Sequence, residues 1–291
     1  MYHFFALAVV MVWGSTFVSS KVLLNSGLLP ADIFFYRFTM AYVCMLVVTH
    51  RRLWSDSVRD ELLFLGLGIT GGSLYFLTEN YALLFSAASN VSILVCSTPL
   101  LTALLVGAFY RTERLNRRQV VGTVLAFAGM VLIVLNGQLL LHLNPLGDVL
   151  ALGAAITWAF YSLLMRNVMQ RYSADFITRK VFFYGLLTIL PYYAFVSPLH
   201  HDMALLTRPV ICGNLLFLGL VASTGCYLLW NWVLHQLGAV KATNYIYLQS
   251  LVTLLVASVI LHERITLMAI AGTLILIIGM YFVERRARTA S

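Results

Sequence analysis

Two side chains carry a formal charge well inside apolar stretches of this sequence: Arg37 in ADIFFYRFTMAYV and Glu79 in GGSLYFLTENYALL. If each stretch crosses a bilayer as a helix, at 1.5 Å per residue both charges lie roughly 6 to 10 Å from the same membrane face. An unpaired charge at such depth costs at least about 2.5 kcal/mol. Two chemistries are therefore open. Arg37 and Glu79 neutralise one another as an ion pair, or Glu79 acts as a protonatable coupling group or the partner of a cationic ligand group.

Around these charges stands a set of neutral side chains with a ring, a hydroxyl or an amide: Trp13, Tyr75, Trp158, Tyr161, Tyr227, Asn231, Asn244, Tyr247 and Gln249. Rings give contact area to an amphipathic ligand, and a few hydroxyl and amide groups fix its orientation. Several of these polar atoms must face inward, because lipid would leave them unsatisfied. With Glu79 they form the candidate substrate-binding set, and packing against neighbouring helices is the competing role for each.

Other motifs carry less. Gly66 to Gly71 spells G-x-G-x-x-G but lies within an apolar span, without the strand and following helix of a dinucleotide site, so close helix packing is expected. Asn90-Val91-Ser92 matches a glycosylation sequon at the start of a span, where it reads as chance. His200-His201-Asp202 lacks a third ligand at metal spacing and reads as a solvated loop. Cys44, Cys96, Cys212 and Cys226 all sit in apolar segments with no C-x-x-C pair. No G-x-S-x-G or H-E-x-x-H motif offers a nucleophile or a zinc site, so no catalytic residue, metal or cofactor is expected. No ATP-binding motif is present either, and energy for any transport is expected from gradients.

The elements that position these residues follow from composition. The chain is 61% hydrophobic and 10% charged, with a mean hydropathy of +0.89, against about 25% charged residues in a soluble domain. An all-α integral membrane protein is expected, embedded in the lipid bilayer, because backbone groups in hydrocarbon must be satisfied within their own segment. The net charge of +8 is scattered over short loops, which argues against a nucleic-acid partner. Residues 1–10 lack a basic n-region, so the apolar run to Val22 is expected as a first span.

Ten spans are expected, at about 3–22, 31–49, 61–83, 88–109, 117–135, 147–166, 177–196, 211–235, 240–261 and 265–283. The loops after the even-numbered spans and the C-terminal tail hold fifteen Lys and Arg residues, while the opposite side holds Lys21, Arg208 and Arg264. That bias places both termini in the cytoplasm. Thr112 to Met130 and His262 to Met280 then match at six positions 150 residues apart: Glu113/Glu263, Arg114/Arg264, Gly122/Gly272, Thr123/Thr273, Gly129/Gly279 and Met130/Met280. Upstream, Ser73 pairs with Ser223 at the same offset and Trp13 with Trp158 at an offset of 145. Two copies of five spans each must enter the membrane from opposite faces. Inverted repeats of this kind are a transporter architecture, with the site near the midplane between copies.

In WGSTFVSSK (Trp13 to Lys21), FFYRF (Phe34 to Phe38), NYAL (Asn80 to Leu83) and the Ser97 to Leu115 run, the chain resembles the drug/metabolite transporter superfamily, in its ten-helix EamA-type branch. WAFYS (Trp158 to Ser162), NWVLH (Asn231 to His235) and the HERI run from His262 repeat the pattern. The resemblance implies a first EamA-type repeat at 1–138 and a second at 146–284, with a central cavity lined mainly by helices 1, 3, 4, 6, 8 and 9. Two positions depart from it: family members commonly have proline in helix 9 where the offset from Pro99 gives Gln249, so the kink there loses its proline, and Glu79 is not a general feature of the family, so no role is carried over to it.

The reading that follows is a secondary transporter of a small polar or amphipathic organic metabolite, such as an amino acid, expected as an exporter in the cytoplasmic (inner) membrane of a bacterium. It would work by alternating access, with protons as a coupling partner through Glu79. The competing readings are a lipid or glycolipid translocator on the same fold and, with less in its favour, an intramembrane enzyme. The sequence sets no oligomeric state.

Overall fold

A computed structural model describes residues 1–49, 53–109, 117–135, 145–199, 203–260 and 267–284. Arg51, Arg52, the His200-His201-Asp202 motif, the two E-R segments at 112–115 and 262–265 and the C-terminal tail from Arg285 lie outside the described residues. The described chain is helical, with no strand among the described residues. In order come α1 (Tyr2–Asn25), α2 (Pro30–Val48), α3 (Val58–Phe85), α4 (Ala88–Phe109) and α5 (Arg117–Leu135). They are followed by α6 (Pro145–Val168), α7 (Ala174–Phe195), a short turn at Met203–Leu206, α8 (Pro209–Leu237), α9 (Ala239–Ile260) and α10 (Leu267–Glu284). Seven of these, α1 to α4, α6, α8 and α9, are long and apolar enough to cross a membrane. The protein is a multi-pass membrane protein. Exposed Val47, Leu104, Val124, Leu187, Leu255 and Ile278 lie on its outer faces, where lipid replaces water as solvent.

Local sequence sets the helix ends. Pro30 and Pro209 stand in the first turns of α2 and α8, where a missing N–H removes nothing the helix uses. Ser57 caps α3, its Oγ accepting from the Asp60 N–H at 3.2 Å. Gly27 (φ +100°) and Gly238 (φ +77°) take the left-handed conformation that lets α1 turn into α2 and α8 into α9. Lys21, expected on the outer side, lies in α1 and donates to the carbonyls of Leu83 (2.6 Å) and Ser86 (3.1 Å), closing the C-terminal end of α3.

Three helices are broken in mid-course. π-Helical turns interrupt α3 at Ile69–Ser73 and α8 at Phe217–Gly225, segments that overlap when shifted by 150 residues. α4 breaks at Cys96 and Ser97, just before Pro99. Pro99 has no N–H to offer Val95, and the Val95 carbonyl instead accepts from the Thr98 hydroxyl at 2.7 Å. The sequence removes proline from α9, yet α9 is tightened into a 3₁₀ turn at Asn244–Ile246 all the same. That turn touches the α4 break directly, since the Cys96 thiol donates to the Ile246 carbonyl at 3.2 Å.

Matching contacts are also made between α5 and α10, each the other shifted by 150 residues. A Cβ added at Gly129 would stand 2.3 Å from the Leu276 nitrogen and 2.5 Å from the Gly272 carbonyl oxygen. One added at Gly279 would stand 2.3 Å from the Ala126 nitrogen and 2.6 Å from the Gly122 carbonyl oxygen. The later glycine of each helix thus meets the earlier part of the other, so the two helices cross antiparallel, backbone on backbone. The Gly66 to Gly71 run serves packing too: Cβ atoms at Gly68 and Gly71 would fall 2.4 Å from Tyr184 Cβ and 2.3 Å from the Tyr161 ring.

Candidate functional site

The broken helices surround an internal cavity in the middle of the bundle. Trp13 of α1, Tyr75 and Glu79 of α3, Trp158 of α6, Tyr227 of α8 and Gln249 of α9, all in the candidate set, line it. Arg37 of α2 joins them, although helix 2 is absent from the set the family pattern implies. The space open to a water's centre is about 20 Å³, enough for roughly one or two waters.

Its walls are aromatic. Trp13 and Trp158, equivalent positions of the two copies, meet edge to face at 5.3 Å between centroids. Tyr75 leans on Trp158 at 4.8 Å and Tyr227 on Trp13 at 5.7 Å. Such pairs fix one another's orientation and add about 0.5 to 1.5 kcal/mol beyond burial. The two indoles differ in their polar atom: Trp13 Nε1 donates to the Ala222 carbonyl at 3.0 Å, whereas Trp158 Nε1 is buried with no acceptor. The Tyr227 hydroxyl donates to the Gly71 carbonyl in the π turn of α3 at 2.6 Å.

The charges do not pair. Arg37 Nε donates to Ser223 Oγ at 2.9 Å, and its guanidinium lies 4.2 Å over the Phe76 ring. Glu79 Oε1 accepts from the Tyr75 hydroxyl, one turn earlier, at 3.2 Å. Arg37 and Glu79 make no salt bridge with each other among the described residues, though they are 2% and 4% exposed and line one cavity. Ser223 holds the arginine back toward α8, so the direct ion pair is not the arrangement seen.

Four of the expected residues lie elsewhere. The Tyr161 hydroxyl donates to Asn231 Oδ1 at 2.5 Å, and Asn231 Nδ2 donates to the Thr178 hydroxyl at 2.8 Å, a chain that ties α6, α8 and α7 together away from the cavity wall. Asn244 Nδ2 donates to the Val240 carbonyl of its own helix at 2.8 Å. Tyr247 is fully buried in α9 and off the wall. In their place stand Thr16, Phe76, Val95, Thr98 and Ile246. Nothing in a span marks a threonine or an aliphatic residue as lining, but Ser223, which holds Arg37, was visible as the repeat partner of Ser73.

A second polar cluster ties α3 to the start of α7. Lys180 Nζ contacts both Glu61 oxygens, at 2.7 and 2.9 Å, and the Tyr184 hydroxyl donates to the same carboxylate. Asp60 holds Arg171 at 2.7 Å and accepts from the Tyr172 hydroxyl at 2.7 Å. Arg179 donates to the Thr49 carbonyl at the end of α2. Arg179 and Lys180, counted among the loop cations from the sequence, are in fact buried within α7.

The family model of the EamA-like transporter family matches residues 1–135 and again 145–285. The chain belongs to the EamA-like transporter family. It is 30% identical over 300 residues to a probable amino-acid metabolite efflux pump of Salmonella typhimurium (strain LT2), covering 99% of this chain and 97% of that protein. It is 28% identical to an uncharacterized transporter of Archaeoglobus fulgidus over 96% of each chain. A crystal structure with 16% sequence identity superposes on 99% of this chain and 98% of its own with a TM-score of 0.73, which shows a common fold. This EamA-like protein is a transporter and not an enzyme.

Proposed function

We propose that this EamA-like protein exports a small polar or amphipathic organic metabolite, such as an amino acid, by alternating access. Its two inverted five-helix repeats, residues 1–138 and 146–284, would give ten spans with both termini in the cytoplasm of a bacterium. The observation that carries this reading is the cavity: opposite charges from the first copy and aromatic rings from both converge mid-bundle on a space open over only about 20 Å³. A metabolite cannot enter so small a space without the surrounding helices parting.

Support for inversion comes from contacts that repeat under the 150-residue shift. Cys96 meets Ile246, and Gly129 and Gly279 exchange equivalent antiparallel contacts. A two-fold axis lying across the helices brings such pairs together, as in other inverted-repeat carriers. The Salmonella relative, a probable amino-acid metabolite efflux pump, supports the substrate class and the outward direction. Glu79, whose carboxylate lines the cavity, is the group proposed to couple export to protons.

Counterflow into liposomes containing the purified protein tests the reading. Amino acids loaded inside should drive accumulation of labelled amino acid from outside, without ATP. Lipid scrambling without solute counterflow would sink it in favour of a lipid translocator.

A further inference from the structure

Resting on the transporter reading above, we infer that the substrate is a zwitterionic α-amino acid whose carboxylate binds the Arg37 guanidinium and whose ammonium binds the Glu79 carboxylate. Both groups line the same cavity and are almost wholly buried. Neither is fully partnered. Among the described residues Arg37 makes one hydrogen bond, through Nε to Ser223, and its two terminal nitrogens have no protein acceptor. Those nitrogens form the fork that holds a carboxylate by two parallel bonds. Glu79 takes one hydroxyl on Oε1, while Oε2 has no donor among the described residues.

The separation of the two charges is built in. Ser223 and the Phe76 ring hold the guanidinium at the level of Phe76. Glu79 lies three residues further along α3, about 4.5 Å along its axis. The two halves of an ion pair are thus held apart while facing one space. A singly charged ligand would neutralise one and leave the other buried alone, whereas a zwitterion satisfies both. Buried Trp158 Nε1, without an acceptor, adds a donor to the wall beside the charges. The remaining lining joins the apolar and aromatic Trp13, Val95, Tyr227 and Ile246 to the polar Thr16, Thr98 and Gln249, which suits an amino acid with an amphipathic side chain.

The test uses the full chain in detergent and the twenty common amino acids as thermal-shift probes, followed by the amide and the N-acetyl derivative of the best stabiliser. The expected result is stabilisation by the free amino acid and a loss of about tenfold or more in apparent affinity for each derivative, since each deletes one charge-assisted contact. The N-acetyl penalty should vanish in Glu79→Gln and the amide penalty in Arg37→Gln, a crossed pattern that a merely structural role would not give. If either variant fails to fold, the derivative series on the unmodified protein decides. Derivatives binding as well as the parent, or no amino acid stabilising the protein, would overturn the clamp. Counterflow of a singly charged metabolite in liposomes would overturn it while leaving the transporter reading intact. Absence of flux for every class would end that reading too.

Discussion

At the scale of single residues, Glu79 and the two indoles give the sharpest expectations. Arg37 is not locked to Glu79, so Glu79→Gln should fold and lose the dependence of uptake on external pH, because an amide carries no proton. Unchanged pH dependence in a well-folded variant removes Glu79 from coupling. Trp13→Phe deletes the bond to the Ala222 carbonyl and leaves that acceptor unmet, a loss of about 1 kcal/mol in denaturant unfolding. Trp158→Phe deletes an N–H that has no acceptor, so it should lose only the packing of the smaller ring and cost less than Trp13→Phe, while weakening substrate binding. Equal losses in the two variants would contradict the different roles assigned to these indoles. The sequence marked these residues because charge and ring chemistry are conspicuous in an apolar chain. It could not tell cavity from packing, as Tyr161 and Asn231 demonstrate: they are as polar and as central as Tyr75 and Gln249, but they bond to each other. Which way a side chain turns depends on the neighbouring helix, and one chain's pattern does not contain that neighbour.

Helix contacts carry a different kind of information. Gly129→Leu and Gly279→Leu should lower the folded yield strongly and to a similar degree, since each would drive a side chain into the facing backbone at 2.3 Å. Val124→Phe, exposed on the outer face of α5, is the tolerated control. Comparable yields for all three would place the glycines outside the contact. Lys180→Met should reduce stability by about 1.5 to 3 kcal/mol, because the Glu61 carboxylate keeps its place and loses its cation. A double variant with Glu61→Gln should recover part of that loss, as a mutant cycle would show. The glycine spacing on α5 and α10 and the break at Pro99 were legible, because glycine and proline act through their own backbone. The 3₁₀ turn of α9 was not. No proline makes it; it lies against the α4 break through Cys96, a contact fixed only once the bundle is assembled.

For the molecule as a whole, topology is the exposed claim. Cys212 is exposed at the start of α8, on the side expected to face outward, and should react with an impermeant maleimide in intact cells. Single cysteines at Ser55 and Ala290, in a protein stripped of its native thiols, should stay unreacted until the membrane is opened. Labelling of just one of them from outside would break the ten-span count. The duplication that leads to this topology was readable because identical residues recur at a fixed offset, whereas the cavity is a product of where two copies meet and has no linear trace.

The charges that face the cavity belong to one copy alone. The offsets that pair Trp13 with Trp158 and Ser73 with Ser223 pair Arg37 with Phe182 and Glu79 with Leu229. In a carrier whose inverted halves were identical, the inward-facing and outward-facing forms would be the same shape turned over. Their energies would then be degenerate apart from the membrane's own asymmetry. Placing both charges in one half lifts that degeneracy. On the proposed alternating-access reading, the empty carrier would have a resting side, set by whichever form leaves Arg37 and Glu79 better hydrated, and a bound zwitterion covering both charges would shrink the preference. Such a carrier would present unequal apparent affinities on its two faces, because loading evens out two states that emptiness holds unequal, while net flux would still need a gradient to drive it.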